Sequence, residues 1–468
     1  MPVNVPEPSS ARGRGPSAAE RSSPVVAQSS ATVPPADARR VAALAVPALV
    51  VLAAEPLYVL VDTAVVGHLG QTELAALALG GGVMAVVAFL GNVLAYGTTG
   101  RAARRFGARD LAEAVGEGVQ ASWLAVAIGA LLIVIGQVVV GPVTRALAGG
   151  DEAVAGAAET WLRVAILGTP GILLAMAGNG WMRGIQDTRT PMRYVLAAFL
   201  LSGVLCPVLV YPAGLGLVGS AIANVIAQAV GGGLFVAALV RQRVPLAPRW
   251  SVLRGQLAVS RDLVVRGAAF QACFLSAAAV VARVSAAALG AHQIALQLWF
   301  FCALALDAVA IAAQSLVGAA LGAGIPAEAR GVAVRVGRIG LVCGVGLAVV
   351  IGAGAWVLPA VFSPDPDVRA QALVVWPWLV GMLPLGGLVF ALDGVLIGAG
   401  DVRFLRNLTL LAALGFFLPL TWLAHGLRLG LPGVWSALAV FMVVRLVGLV
   451  LRTRGTRWAV AGAVRPDA

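Results

Sequence analysis

Twelve long apolar stretches follow one another along the chain, separated by short segments in which Pro, Gly and Arg gather. A helix needs about 20 apolar residues to cross the roughly 30 Å hydrocarbon core of a bilayer. The stretches at about 41–66, 74–97, 118–140, 160–182, 191–211, 217–240, 262–283, 289–316, 333–358, 372–397, 404–424 and 431–451 reach that length and predict twelve transmembrane helices. Their breaks are abrupt, as at Tyr211-Pro212-Ala213-Gly214 and Ser363-Pro364-Asp365-Pro366, where proline removes backbone donors and glycine frees the turn.

The second half of the pattern repeats the first at an offset of 214 to 215 residues. Phe106–Ala114 matches Leu321–Ala329, Gly180–Arg189 matches Gly394–Arg403, and Gly214–Gly219 matches Arg428–Gly433. Six helices per copy bring each copy in from the same side, so the expected fold is all-α, two parallel six-helix repeats around a central cleft. The expected layout is a disordered tail at 1–38, an N-lobe of helices 1–6 at 39–245 and a cytoplasmic linker at 246–260. A C-lobe of helices 7–12 at 261–453 and a C-terminal tail at 454–468 complete it. Residues 1–38 are rich in Pro, Ser, Ala and Arg, without periodicity and without the apolar core of a cleavable signal. The first span is therefore expected to serve as the targeting segment.

Composition agrees with a membrane protein: 60% of residues are hydrophobic and 12% charged, against roughly 25% charged in soluble domains. Every basic residue is Arg, and 27 of 33 fall in the tails and even-numbered loops, six of them between the sixth and seventh helices. Arginine accumulates on the cytoplasmic side, so both termini are expected there. The net charge of +12 thus marks an anionic leaflet and not a nucleic-acid partner. Cys206, Cys273, Cys302 and Cys343 lie in apolar runs and read as small hydrophobes; no metal-binding spacing occurs, and His68 and His292 stand apart.

Ionisable groups inside the membrane are costly and need a reason. Glu55 and Asp62, seven apart in the first helix, lie within about 20° of one another. Pro47 and Pro56 in the same helix each leave a carbonyl without its donor, which makes it a candidate hinge. Gln293, Gln297, Asp307 and Gln314 form a polar stripe on helix 8, expected to face the cleft or a partner helix. Asp393 in helix 10 and Asn179 at the matching place in the first half are further cavity candidates. Asp187 and Asp401, in the repeated Gly-x-x-Asp-x-Arg turns, read as helix caps or partners of nearby Arg. Asn224 and Gln228 read as interhelical hydrogen bonds, and Trp161 and Trp458 as part of an aromatic belt.

The segment Ala54-Glu55-Pro56-Leu57-Tyr58-Val59-Leu60-Val61-Asp62-Thr63-Ala64-Val65-Val66-Gly67-His68-Leu69-Gly70 resembles the first-helix signature of the multidrug and toxic compound extrusion (MATE) family, its DinF-like branch above all. Gly290–Ala295 and Leu392–Asp401 support the resemblance, which spans about residues 40–452. It implies a monomeric exporter of cationic or amphipathic small molecules in a bacterial inner membrane. Such a carrier has no cofactor and is driven by inward H⁺ or Na⁺. Asp62 matches the acid held to bind the coupling cation, and Asp393 lies where other branches place an important acid. Relatives have Asn and Asp four apart in helix 5; here Ser202 and Cys206 stand at those places.

The expected chemistry is competition: a carboxylate at Asp62 holds either a cationic substrate or a proton. A major-facilitator carrier shares the two-half layout, but Arg104-Arg105-Phe106-Gly107-Ala108-Arg109-Asp110 lacks the motif typical of its second loop. A lipid-linked precursor flippase would call for intramembrane arginines, and the sequence reads as offering acids instead. No protease-like motif supports an enzyme. A receptor or scaffold that moves nothing is the alternative outside transport.

Overall fold

Each apolar stretch forms a helix in the computed structural model, which describes residues 37–465. They are α1 (Ala38–Gly67), α2 (Gln71–Gly107), α3 (Leu111–Leu147), α4 (Glu152–Gly184), α5 (Arg189–Val210), α6 (Gly216–Arg241), α7 (Trp250–Ala282), α8 (Ala286–Gly322), α9 (Pro326–Ala353), α10 (Pro366–Gly398), α11 (Val402–Gly426) and α12 (Gly430–Arg454). The N-terminal tail expected at 1–38 lies almost wholly outside the described residues.

Short polar side chains start several of the helices. The carboxylates of Asp110, Asp151 and Asp365 and the hydroxyl of Ser285 accept from backbone N–H groups of the first turns of α3, α4, α10 and α8. Asp187 accepts from the N–H groups of Arg189 and Thr190 at 3.1 and 3.0 Å, the capping role its sequence suggests. Its counterpart Asp401 instead pairs with Arg452 at 2.7 Å and Arg465 at 3.1 Å.

The repeat is written into the backbone. Left-handed residues fall at Arg109, Gln186, Gly214 and Gly216 in the first half and at Gly324, Gly400, Arg428 and Gly430 in the second. Each pair is separated by the offset that the sequence shows. The same turns close the same helices in both copies; Gly216 and Gly430 are glycine in both, while in the other three pairs glycine supplies the conformation on one side and a side-chain-bearing residue on the other.

The halves meet near the ends of α2 and α8, at Gly107 and Gly322. A Cβ added to Gly107 would lie 1.9 Å from the carbonyl oxygen of Ala319, and one added to Gly322 would lie 1.9 Å from that of Arg104. Arg104, buried at this seam, donates to the carbonyls of Ala399 (2.8 Å), Val460 (3.0 Å) and Gly462 (2.8 Å). It thereby ties α2 to the end of α10 and to the segment after α12. Trp458 of that segment is fully buried, so it belongs to this packing and not to an aromatic belt.

The linker expected at 246–260 is helical from Trp250 onward. The connection between halves shortens to residues 242–249, because α7 extends to pack its first turns on the N-half. There Gln256 Nε2 donates to the backbone and side-chain oxygens of Glu117 at 2.8 and 3.0 Å. Arg249 pairs with Glu113 at 2.6 Å, and this hydrogen bond raises the guanidinium's already high pKa.

Two cavities, one in each half

α1, α2, α4, α5 and α6 enclose a cavity of about 470 Å³ in the N-half. Asp62 and Glu55 both reach it, as their shared helix face predicts, but in different surroundings. Asp62 is 5% exposed, whereas Glu55 is exposed. Cys206, on α5, donates its thiol to Asp62 Oδ1 at 3.2 Å, so this cysteine is a polar partner of the acid and not only a small hydrophobe. Beside it, Ser202 Oγ and Tyr58 Oη are buried without hydrogen-bond partners among the described residues. Tyr58 stacks on Phe199 at 5.6 Å between centroids.

Asn179 is fully buried at the same wall; its Nδ2 donates to the carbonyl of Ala175 at 3.2 Å and its Oδ1 has no hydrogen-bond partner among the described residues. Asn224 and Gln228 line the cavity as well, a placement the sequence reading of interhelical bonds did not anticipate. Trp161, expected in an aromatic belt, is buried at this cavity and donates to Ser220 Oγ at 2.9 Å. Pro47 and Pro56 both lie inside α1, which stays helical through them.

The second cavity, about 360 Å³, lies among α7, α8, α10 and α12 and is closed on one side by α2. Its polar wall holds Asp307, Asp393, Gln314, Arg266 and Arg445. Tyr96 of α2 donates its hydroxyl to Asp307 Oδ2 at 2.5 Å, a bond that crosses between the halves. Asp393 Oδ2 accepts from Arg266 at 2.5 Å and also from Arg445. Both guanidinium groups lie over the ring of Phe270, at 5.5 and 4.8 Å from its centroid. Asp393 and Asn179 thus hold matching places in the two cavities, as the repeat predicts.

The polar stripe of α8 divides. Asp307 and Gln314 line the cavity, but Gln293 and Gln297 are exposed and do not. Ideal twist places four side chains in one arc; it does not say where the packing partner ends. The expectation of acids without arginines is also corrected. Arg266 had been counted with the loop before helix 7, yet it stands inside α7 and faces the cavity with Arg445. The stretch assigned to that helix, 262–283, already contains Arg266, but the sequence does not say what its side chain faces.

A sequence model of the MatE family matches residues 47–208 and 263–423, one segment in each half. The chain belongs to the MatE family. It is therefore a multi-pass membrane transporter of the multidrug and toxic compound extrusion class, and not an enzyme. Among relatives of this MatE chain, the chloroplastic protein DETOXIFICATION 44 of Arabidopsis thaliana is 33% identical, over 88% of this chain and 81% of its own length. The DNA damage-inducible protein F of Escherichia coli (strain K12) is 30% identical, over 84% and 87%. A MATE crystal structure in the bent conformation superimposes with a TM-score of 0.83 at 22% identity, covering 90% of this chain and 96% of that one. An outward-facing MATE transporter gives 0.82 with the same identity and coverage. At that identity the likeness concerns the fold. The MatE fold accounts for the paired halves, and the side chains of this chain set what each cavity holds.

Proposed function

We propose that this MatE protein is an antiporter of a bacterial inner membrane, with both termini cytoplasmic, that works as a monomer. It exports cationic or amphipathic small molecules in exchange for inward H⁺, with Na⁺ as the alternative coupling ion. The observation that carries the reading is Asp62: a buried carboxylate on the wall of a cavity large enough for a small organic molecule. One carboxylate in such a place holds either a proton or a positively charged passenger, since either satisfies the charge and both together overfill it. Tyr58, Phe199 and Trp161 offer flat apolar surface for the body of an organic cation. Asn179, Asn224 and Gln228 add hydrogen-bonding groups. Pro56, between Glu55 and Tyr58, leaves the carbonyl of Leu52 without its helical donor, so α1 bends there at low cost. One inward charge at about 100 mV supplies about 2.3 kcal/mol, enough for a gradient of roughly fifty-fold.

The test is uptake of a fluorescent organic cation into inverted vesicles with an acid interior or with internal Na⁺. The wild type accumulates dye and Asp62→Asn does not. Unchanged gradient-driven uptake in Asp62→Asn removes Asp62 from the exchange. Accumulation with Na⁺ but not with a pH difference reassigns the coupling ion.

A further inference from the structure

The chain does not leave the protein where α12 ends. Gly455 closes that helix in an extended conformation, and the residues after it return to the seam between the halves, where both halves grip them. From the N-half, Arg104 of α2 donates to the carbonyls of Val460 and Gly462. From the C-half, Asp401 pairs with Arg465 at 3.1 Å, and the Leu321 carbonyl accepts from the N–H of Gly462 at 2.9 Å. Trp458 and Ala459 are buried in the same apolar cluster as Leu405 of α11 and Leu449 of α12. Gly462 has a φ of +121°, a conformation that a side chain would strain, and it serves α2 and α8 at once. A segment beyond the last helix stays ordered only where its contacts outweigh the conformational entropy lost. Here they are apolar, polar and ionic together.

The position of the segment gives these contacts a consequence. Residues 463–465 roof a small hollow of about 30 Å³, walled by Tyr96 and Glu117 from the N-half and by Val259 and Ile397 from the C-half. Tyr96 and Ile397 also line the C-half cavity, so they form the partition between it and the hollow. The halves touch at this partition: a Cβ added to Gly100 of α2 would lie 2.7 Å from the Ile397 carbonyl oxygen of α10. A way from the C-half cavity to this face passes the partition first and the roof second. Parting α2 from α10 here breaks either the Arg104 bonds to the roof or the hold of Asp401 on Arg465.

We propose that residues 455–465 are a strap that keeps the two halves shut on the face from which it emerges. The C-half cavity opens to that face only when Arg104 or Asp401 lets go of the strap. Loss of the strap therefore shifts the resting population toward the form open on its side.

Thiol labelling tests this. Ala303→Cys places a thiol on the wall of the C-half cavity, and a membrane-impermeant maleimide is added to one face of sealed vesicles. Reaction at that position is read by mass spectrometry, and Arg457→Cys, exposed in the strap, identifies the strap's face. With the strap intact, the cavity thiol reacts slowly from that face. A stop after Arg454 speeds the reaction at least tenfold, and Arg465→Gln, which leaves Trp458 in place, speeds it at least threefold. Labelling from the opposite face does not rise in either. Neither gradient nor passenger is present, so the result stands apart from whether Asp62 exchanges cations. Should the shortened chain not fold, shown by reaction of the buried Cys302, Arg465→Gln decides alone. Unchanged labelling from the strap's face in the folded variants, or an equal rise from both faces, overturns the proposal.

Discussion

The thiol of Cys206 donates a hydrogen bond to Asp62 Oδ1 at 3.2 Å, linking the acid of α1, which lines the N-half cavity, to the buried cysteine of α5. A donor to an ionised carboxylate is worth roughly 1.5–3 kcal/mol, because the charge has few other partners once water is excluded. Cys206→Ala is therefore expected to slow gradient-driven cation uptake severalfold, and Cys206→Ser, which keeps a donor at that place, to retain most of it. Equal rates for the two variants would show that the thiol only fills space.

Asp393 binds Arg266 and Arg445 together. Its replacement by Ala leaves two guanidinium groups without their shared counter-charge, and removing one partner of a buried ion pair costs about 3–5 kcal/mol. A large fall in the thermal unfolding midpoint of the detergent-purified protein is expected. The double variant Asp393→Ala/Arg445→Leu, with one fewer cation to balance, should recover part of it. A double variant no more stable than the single one would count against charge balance as the cause.

At the seam, Gly107 and Gly322 each bring a backbone within reach of an opposing carbonyl. Gly107→Ala and Gly322→Ala are expected to push α2 and α8 apart by forcing a Cβ against Ala319 and Arg104. Spin labels placed across the seam should report a longer distance in either variant than in the wild type. Unchanged distances would mean that the helices accommodate the methyl group by local bending.

Arg104 holds three carbonyl oxygens, two of them in the segment after α12. Arg104→Ala takes this donor from the Val460 and Gly462 oxygens, at roughly 1–3 kcal/mol for each that stays buried, while Ala399 keeps Arg465 at 3.3 Å. The exposed Arg457 in that segment gives the readout, since trypsin should cut there at least several times faster in the variant than in the wild type. Equal cleavage rates would place the hold on this segment elsewhere, with Trp458 the next residue to change.

The fold was legible because bilayer thickness turns apolar length into a helix count, and because the repeat left matching turns such as Gln186 and Gly400 in the chain. Asp62, Glu55, Asn179, Asp307 and Asp393 were legible as cavity residues because a charge or amide in an apolar run calls for a wet or paired environment. Arg266 was not, since an arginine near the end of an apolar run looks the same whether it faces water or a neighbouring carboxylate. Gln293 and Gln297 failed for a related reason: periodicity gives a face, and only packing says what covers it. Cys206 was identified by its place in helix 5, but its bond to Asp62 depends on how α1 and α5 cross.

At Gly107 and Gly322 the two halves meet backbone to backbone, with no side chain at either position to hold them apart. The ties across that surface are polar and come from individual side chains, Arg104 to the Ala399 carbonyl, Tyr96 to Asp307 and Gln256 to Glu117, so turning one half on the other means breaking or carrying these bonds.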